Sequence, residues 1–284
     1  MTEILMFFED PREFLDWTLE IYEAEEGKHS LMLGVALRVA SEPEAVNEKP
    51  LLAVVRDQNR QVLSSAVRTP PYYLLVHSDP VNEGALNLLA QELFQQGMNL
   101  PGSNGVAQAS DAFACLWCTI TGKQAVLDRC LRSYLLHEVA CPPEPEGGMR
   151  LAVEADISIT LGMIQAMLVE IEEANDTSWN EERMTRAVLN KSVYVWDVNG
   201  RAVTMALTTR PTHHAMSISG VYTPPEQRRK GYATALVAGL SQEILDQGYA
   251  MVNLFTDLAN PISNSIYQKI GFKPVCDYHE YRYV

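Results

Sequence analysis

From Ala215 to Val284 the hydrophobic period of the chain changes repeatedly, and this alternation restricts its fold more than any other feature. Residues 215–223 (AMSISGVYT) read as a strand. Thr234–Gln247 then places Leu236, Leu240 and Ile244 at i, i+4 and i+8 and stops at Gly248, as an amphipathic helix does. Met251–Thr256 is a further strand. Asn260 and Pro261 supply an N-cap and a first-turn proline to a second helix carrying Ile262, Ile266 and Ile270, with Gly271 as its stop. Two strands are expected between Phe272 and Val284. Preceded by a hairpin, this order of elements indicates a mixed α/β sheet.

The opening hairpin is Val195–Thr209, two apolar strands around Asp197–Gly200, in which Asn199-Gly200 is a strong two-residue turn signal. A second copy lies 140 residues earlier. Val55–Thr69 matches it at five of fifteen positions, with its own polar turn at Asp57–Arg60. The chain has 284 residues, enough for two domains. At 141–150 it reads CPPEPEGGMR, where three prolines and two glycines stop any regular element. The expected division is therefore 1–143 and 148–284.

Composition excludes several function classes. With 22 Lys and Arg against 36 Asp and Glu, the net charge of −14 repels nucleic acid and anionic membranes. Residues 1–146 carry 10 basic and 21 acidic side chains, and residues 147–284 carry 12 and 15, so the negative field belongs mainly to the first half. No apolar run approaches the ~20 residues that span a bilayer, and the acidic start MTEILMFFEDPREF is unlike a signal peptide, so a cytoplasmic protein is expected. Five cysteines include the pair Cys115 and Cys118, which sits in an apolar stretch at helical spacing without a second such pair, so reduced core cysteines and no metal are expected.

The densest basic cluster lies between the strand at 215–223 and the helix after it. Thr223-Pro-Pro-Glu-Gln-Arg-Arg-Lys-Gly-Tyr-Ala233 combines three consecutive cations, Arg228, Arg229 and Lys230, with the small residues Gly231 and Ala233. Small residues let a backbone approach a ligand, and amides at a helix start point at an anion with the helix dipole behind them. A pyrophosphate site needs this combination. The segment Val221–Ala233 resembles the acetyl-CoA-binding motif of the GNAT superfamily of N-acetyltransferases, whose pattern is Arg/Gln-x-x-Gly-x-Gly/Ala. The stretch Asn260–Phe272 is similar to that family's second signature.

The resemblance implies two GNAT-like domains in tandem and a cleft where two parallel strands splay apart. There the pyrophosphate of acetyl-CoA would rest on the amides of Arg229, Lys230, Gly231, Tyr232 and Ala233, with Arg228 and its neighbours adding charge. The backbone of Val221, Tyr222 and Thr223 would run beside the pantetheine arm, which Asn260 and Asn264 would hydrogen-bond. A primary amine would attack the thioester directly, with a backbone N–H near Val221 for the oxyanion and the Tyr267 hydroxyl as proton donor to the sulfur. An unperturbed phenol, with a pKa near ~10, keeps its proton at neutral pH and suits that role.

No residue is singled out as the base. His213 and His214 have the right intrinsic pKa, and Glu170, Glu172, Glu173 and Asp176 close the first helix of the active domain. In the first half, Asp79-Pro-Val-Asn-Glu-Gly84 stands where the basic turn should be and holds no cation. Residues 1–143 are thus expected to have lost cofactor binding, to pack on the active domain and to shape its acceptor pocket. The acidic balance favours a cationic amine as acceptor. Two other readings share the motif: a CoA-binding regulatory module without turnover, and transfer of a longer acyl group.

Overall fold

The computed structural model describes residues 3–42, 48–171 and 179–284. Glu172, Glu173 and Asp176 lie outside the described residues. The chain divides into two compact units: Met1–Ser133 with Phe255–Ala259 and Pro274–Val284, and Tyr134–Leu254 with Asn260–Lys273. The proline-rich stretch at 141–147 falls inside the second unit.

The first unit runs β1 (Ile4–Phe7), α1 (Pro11–Ala24), α2 (Glu26–Ser41), β2 (Leu51–Arg56), β3 (Val62–Arg68), β4 (Leu74–His77), α3 (Glu83–Gln95), β5 (Gly102–Val106), α4 (Ala107–Thr121) and the start of β6 (Ala125–Leu136). The same order follows from residue 148: β7 (Gly148–Leu151), α5 (Ile157–Glu170), α6 (Glu181–Leu189), β8 (Val193–Val198), β9 (Arg201–Thr209), β10 (Ala215–Tyr222), α7 (Tyr232–Asp246), β11 (Met251–Asp257), α8 (Pro261–Ile270) and β12 (Lys273–Tyr283). The hairpin likeness was thus the trace of a complete repeat. Both turns are built alike, with Asp57 Oδ1 accepting from the Gln61 amide at 2.8 Å and Asp197 Oδ1 from the Gly200 amide at 2.7 Å.

In the first unit the strands lie in the order β1-β2-β3-β4-β5-β12, and in the second β11-β10-β9-β8-β7. Only β4 with β5 and β10 with β11 pair parallel among these; the other described registers are antiparallel. The last strand corrects an expectation. Residues 273–283 form one strand rather than two: no glycine interrupts the run, and Pro274 stands near its start, where a missing N–H is tolerated.

Each sheet is covered on both faces. In the second unit α7 and α8 bury Leu236, Leu240, Ile244 and Ile270 on one side, while α5 and α6 bury Met163, Ile164, Met184 and Val188 against β8 and β9 on the other. Fully burying one such side chain stabilises the fold by roughly 1.5–3 kcal/mol. All five cysteines are free, but Cys115 and Cys141 are exposed rather than core residues. In α4 the helical face that turns inward is that of Phe113, Ala114 and Trp117, which leaves Cys115 outside.

Polar atoms are buried in the first unit beside β4. The rings of His29 and His77 meet edge to face at 4.7 Å, and Tyr22 lies 5.6 Å from each. Burial, aided by the Lys28 charge, pushes His29 down to about 4; burial, with His29 and Lys28, pushes His77 down to about 3, and only Glu25 opposes through charge on His29. Both imidazoles are neutral in the fold and take up protons near pH ~6.5 when unfolded. Their contribution is therefore complete above about pH 6.5 and falls as the pH drops towards 4, by at most roughly 1.4 kcal/mol per histidine per pH unit. Hydrogen exchange of α2 and β4, corrected for intrinsic rates, should show lower protection at pH 5 than at pH 7. His77→Asn should flatten that dependence, and equal slopes would refute the account.

Candidate active site

In the second unit β10 pairs with β11 only from Ala215/Met251 to Ile218/Leu254. Beyond Ile218, β10 continues to Tyr222 and is held from the β9 side alone among the described registers. On that side too the register shifts between Ser219 and Tyr222. Gly220 lies in the bulge at φ +59°, a conformation that favours glycine, and a Cβ there would also displace the Leu207 side chain, whose Cδ1 would lie 2.3 Å away. The edge of β10 at Ser219–Tyr222 therefore has no described ladder partner on the β11 side. This is the part of the strand that sequence assigned to the pantetheine arm through Val221, Tyr222 and Thr223.

The turn that follows is anchored at its start. Thr204 Oγ1 donates to the Tyr222 carbonyl at 2.7 Å and meets Thr223 Oγ1 at 2.8 Å. Pro225–Gln227 form a short 3-10 turn, and Arg229 and Gly231 take left-handed conformations at φ +63° and +87°. Gly231 is the N-cap of α7 and offers no side-chain cap, and the first backbone bond at the helix start runs from the Ala235 amide to the Gly231 carbonyl. The amides of Tyr232 and Ala233 therefore point out of the helix end. A Cβ at Gly231 would approach only Pro145, at 3.9 Å, so the backbone is accessible there.

Arg228, Arg229, Lys230 and Gly231 are all exposed. Arg228 is nonetheless engaged, its Nη2 donating to both Glu170 oxygens at 2.6 and 2.7 Å and its Nε to the Thr223 carbonyl at 2.9 Å. Burial works against its charge, and the Glu170 carboxylate outweighs it, holding the guanidinium above its ordinary value. Glu170 also accepts from the Tyr222 hydroxyl at 2.8 Å; burial first and this carboxylate second raise the Tyr222 pKa. Lys230 reaches back to Gln227 at 2.8 Å.

The equivalent turn of the first unit is closed. Asn82 caps α3, its Oδ1 accepting from the Ala85 amide at 3.0 Å, and its own amide donates to Ser78 Oγ at 2.9 Å. Beside β4 and β5, where β10 and β11 have their opening, the side chains of His29, His77 and Asn104 leave a cavity of only about 10 Å³, the size of one water.

On α8, Asn260 Oδ1 caps the helix by accepting from the Ser263 amide at 3.1 Å. Asn264 donates to the Asn260 carbonyl at 2.7 Å and accepts from the Tyr134 hydroxyl at 2.9 Å, and Gln268 donates to the same hydroxyl at 3.1 Å. Both asparagine side chains thus serve the helix and its junction with Tyr134. Tyr134 and Gln268 were not anticipated, because nothing local marks a tyrosine 130 positions away as a partner of Asn264. Tyr267 is 7% exposed, packed between Tyr134 and Phe272 at ring distances of 6.5 and 5.9 Å. Burial alone raises its hydroxyl to about 12. His213 and His214 stand exposed at the far end of β10 from the turn and are not gathered with these residues.

Residues 164–272 match the model of the acetyltransferase (GNAT) family, a span containing the opened strand, the basic turn and α8. This segment belongs to the GNAT acetyltransferases. The GNAT acetyltransferases are acyl-CoA-dependent acyltransferases. No curated protein matches the chain. Among solved structures it resembles a Drosophila protein (TM-score 0.69, 14% identity, covering 100% of this chain and 99% of that one). It also resembles a GCN5-related N-acetyltransferase from Sphaerobacter thermophilus (0.63, 16%, 98% and 95%). A third likeness is to a tandem GNAT protein from the clavulanic acid biosynthesis pathway (0.56, 10%, 99% and 98%). At these identities the likeness concerns the fold, and the chain is two GNAT-like α/β units in tandem. Among the described residues no helix is long and apolar enough to cross a membrane.

Proposed function

We propose that the second unit transfers an acetyl group from acetyl-CoA to a primary amine in a ternary complex, and that the first unit is a GNAT-like copy that no longer binds cofactor. The observation that carries this reading is the conjunction, within one family-matched segment, of a half-unpaired β10 and an uncapped α7 reached through two left-handed residues and three cations. The residues present fit the cofactor: Gly231 leaves room for backbone approach, and α7 offers amides that no side chain has claimed. When bound, acetyl-CoA supplies an activated acyl thioester.

The chain's own contribution is to bind, orient and supply a proton. Amides from Arg229 to Ala233, with the positive end of α7 behind them, would hold the pyrophosphate. Arg229 and Lys230 add charge from exposed positions, and Arg228 does so while tied to Glu170. The open edge of β10 would take the extended arm as an added strand, and an amide near Val221 would stabilise negative charge on the reacting oxygen. Tyr267, kept protonated by burial, would give its proton to the departing sulfur, and the proton lost by the attacking amine would restore the phenol through water. The acceptor is an amine, and the net charge of −14 favours a cationic one.

Release of free thiol from acetyl-CoA, followed over a panel of amines and amino acids, tests this. Thiol release that requires both substrates is expected, with cationic acceptors preferred over acidic ones. Acyl-CoA binding without release for any acceptor would favour a regulatory module, and faster release from longer acyl-CoA would reassign the acyl group.

A further inference from the structure

A second opening in the same unit is lined by Tyr222. Ile159, Gly162, Met163 and Ala166, at i, i+3, i+4 and i+7 of α5, face Tyr222 and the Pro224–Gln227 turn across a cavity of about 340 Å³. That is the volume range of small-molecule pockets and far above what an ordered water needs. Small residues keep it open. Gly162 stands in mid-helix at an ordinary negative φ, and a Cβ there would meet no atom within 4 Å. Neither backbone conformation nor close packing requires a glycine, yet it costs a helix about 1 kcal/mol relative to alanine. The space it leaves is the remaining reason for it.

Two charges border this apolar space. Arg201, at the start of β9, is exposed and has no ion-pair partner among the described residues, and Glu226 stands on the opposing turn. A cation and an anion beside an apolar helix stripe match a molecule carrying a carboxylate, an ammonium group and an apolar body. We infer that this cavity is a binding site for an apolar amino acid, its carboxylate on Arg201, its ammonium towards Glu226 and its side chain against Gly162 and Ala166. The inference does not depend on acyl transfer: Tyr222 and the start of the turn border both openings, but neither the amides of residues 229–233 nor any α8 residue takes part.

Calorimetric titration of the full chain with L-phenylalanine and L-leucine tests it. Saturable binding at one site per chain is expected, weakened at least about tenfold for phenethylamine and for phenylacetate, each of which lacks one charged group. Gly162→Leu, which fills the space and favours the helix, should abolish binding while leaving the melting temperature equal or higher and acetyl-CoA binding unchanged. Arg201→Gln should weaken the amino acids about fivefold or more and phenethylamine little. Absence of saturable binding by both amino acids, or undiminished binding by Gly162→Leu, would overturn the proposal.

Discussion

Gly231→Glu should lower acetyl-CoA affinity by at least about 100-fold, a loss of roughly 2.7 kcal/mol. Two independent effects act in the same direction. Gly231 sits at φ +87°, where a side chain costs about 1–2 kcal/mol, so the turn would relax away from the geometry that exposes its amides. The added carboxylate would also stand at the N-cap of α7, where it can accept the amides meant for the pyrophosphate and repel its charge. A carboxylate there is a good helix cap, so folding should survive, and a melt separates lost binding from lost structure. Gly231→Ala, which keeps the space open but strains the turn, should fall between the two. Undiminished binding by Gly231→Glu would show that the cofactor does not rest on this turn.

Tyr267→Phe should have the second large effect, on turnover alone. A positioned proton donor contributes about 100-fold or more. The phenol ring fills the space between Tyr134 and Phe272, and phenylalanine keeps that packing. Burial is the sole cause of its raised pKa, so no hydrogen bond of the hydroxyl contributes to it and its removal should cost little stability. Turnover should thus fall by about 100-fold with acetyl-CoA affinity within about twofold of the parent. Unchanged turnover would remove the proton-donor assignment and leave water as the source.

How much of this was legible in the residues follows from range. Caps and turns are local, so Asn260 and Gly271 delimit α8 as their residue types require, and the Asn199-Gly200 turn closes its hairpin at positive φ. The basic turn was legible for the same reason, since glycine and three cations stand together between a strand and a helix. The pairing of Arg228 with Glu170 was not, because 58 positions separate them and only the packing of α5 onto the sheet joins them. Gly162 carried no sequence signal either, since a glycine within a helical pattern reads as a blemish until the space beside it is seen. The acidic first unit was half legible: the missing cations at Asp79–Gly84 were evident, but the Asn82 cap and the His29–His77 filling beside β4 appear only in three dimensions.

The central claim is that one of two similar units has kept cofactor binding. A calorimetric titration of the full chain with acetyl-CoA, repeated on Gly231→Glu, measures this directly through its stoichiometry. One molecule bound per chain, lost in the variant, is the predicted result. Two per chain, none, or one that survives Gly231→Glu would contradict the account.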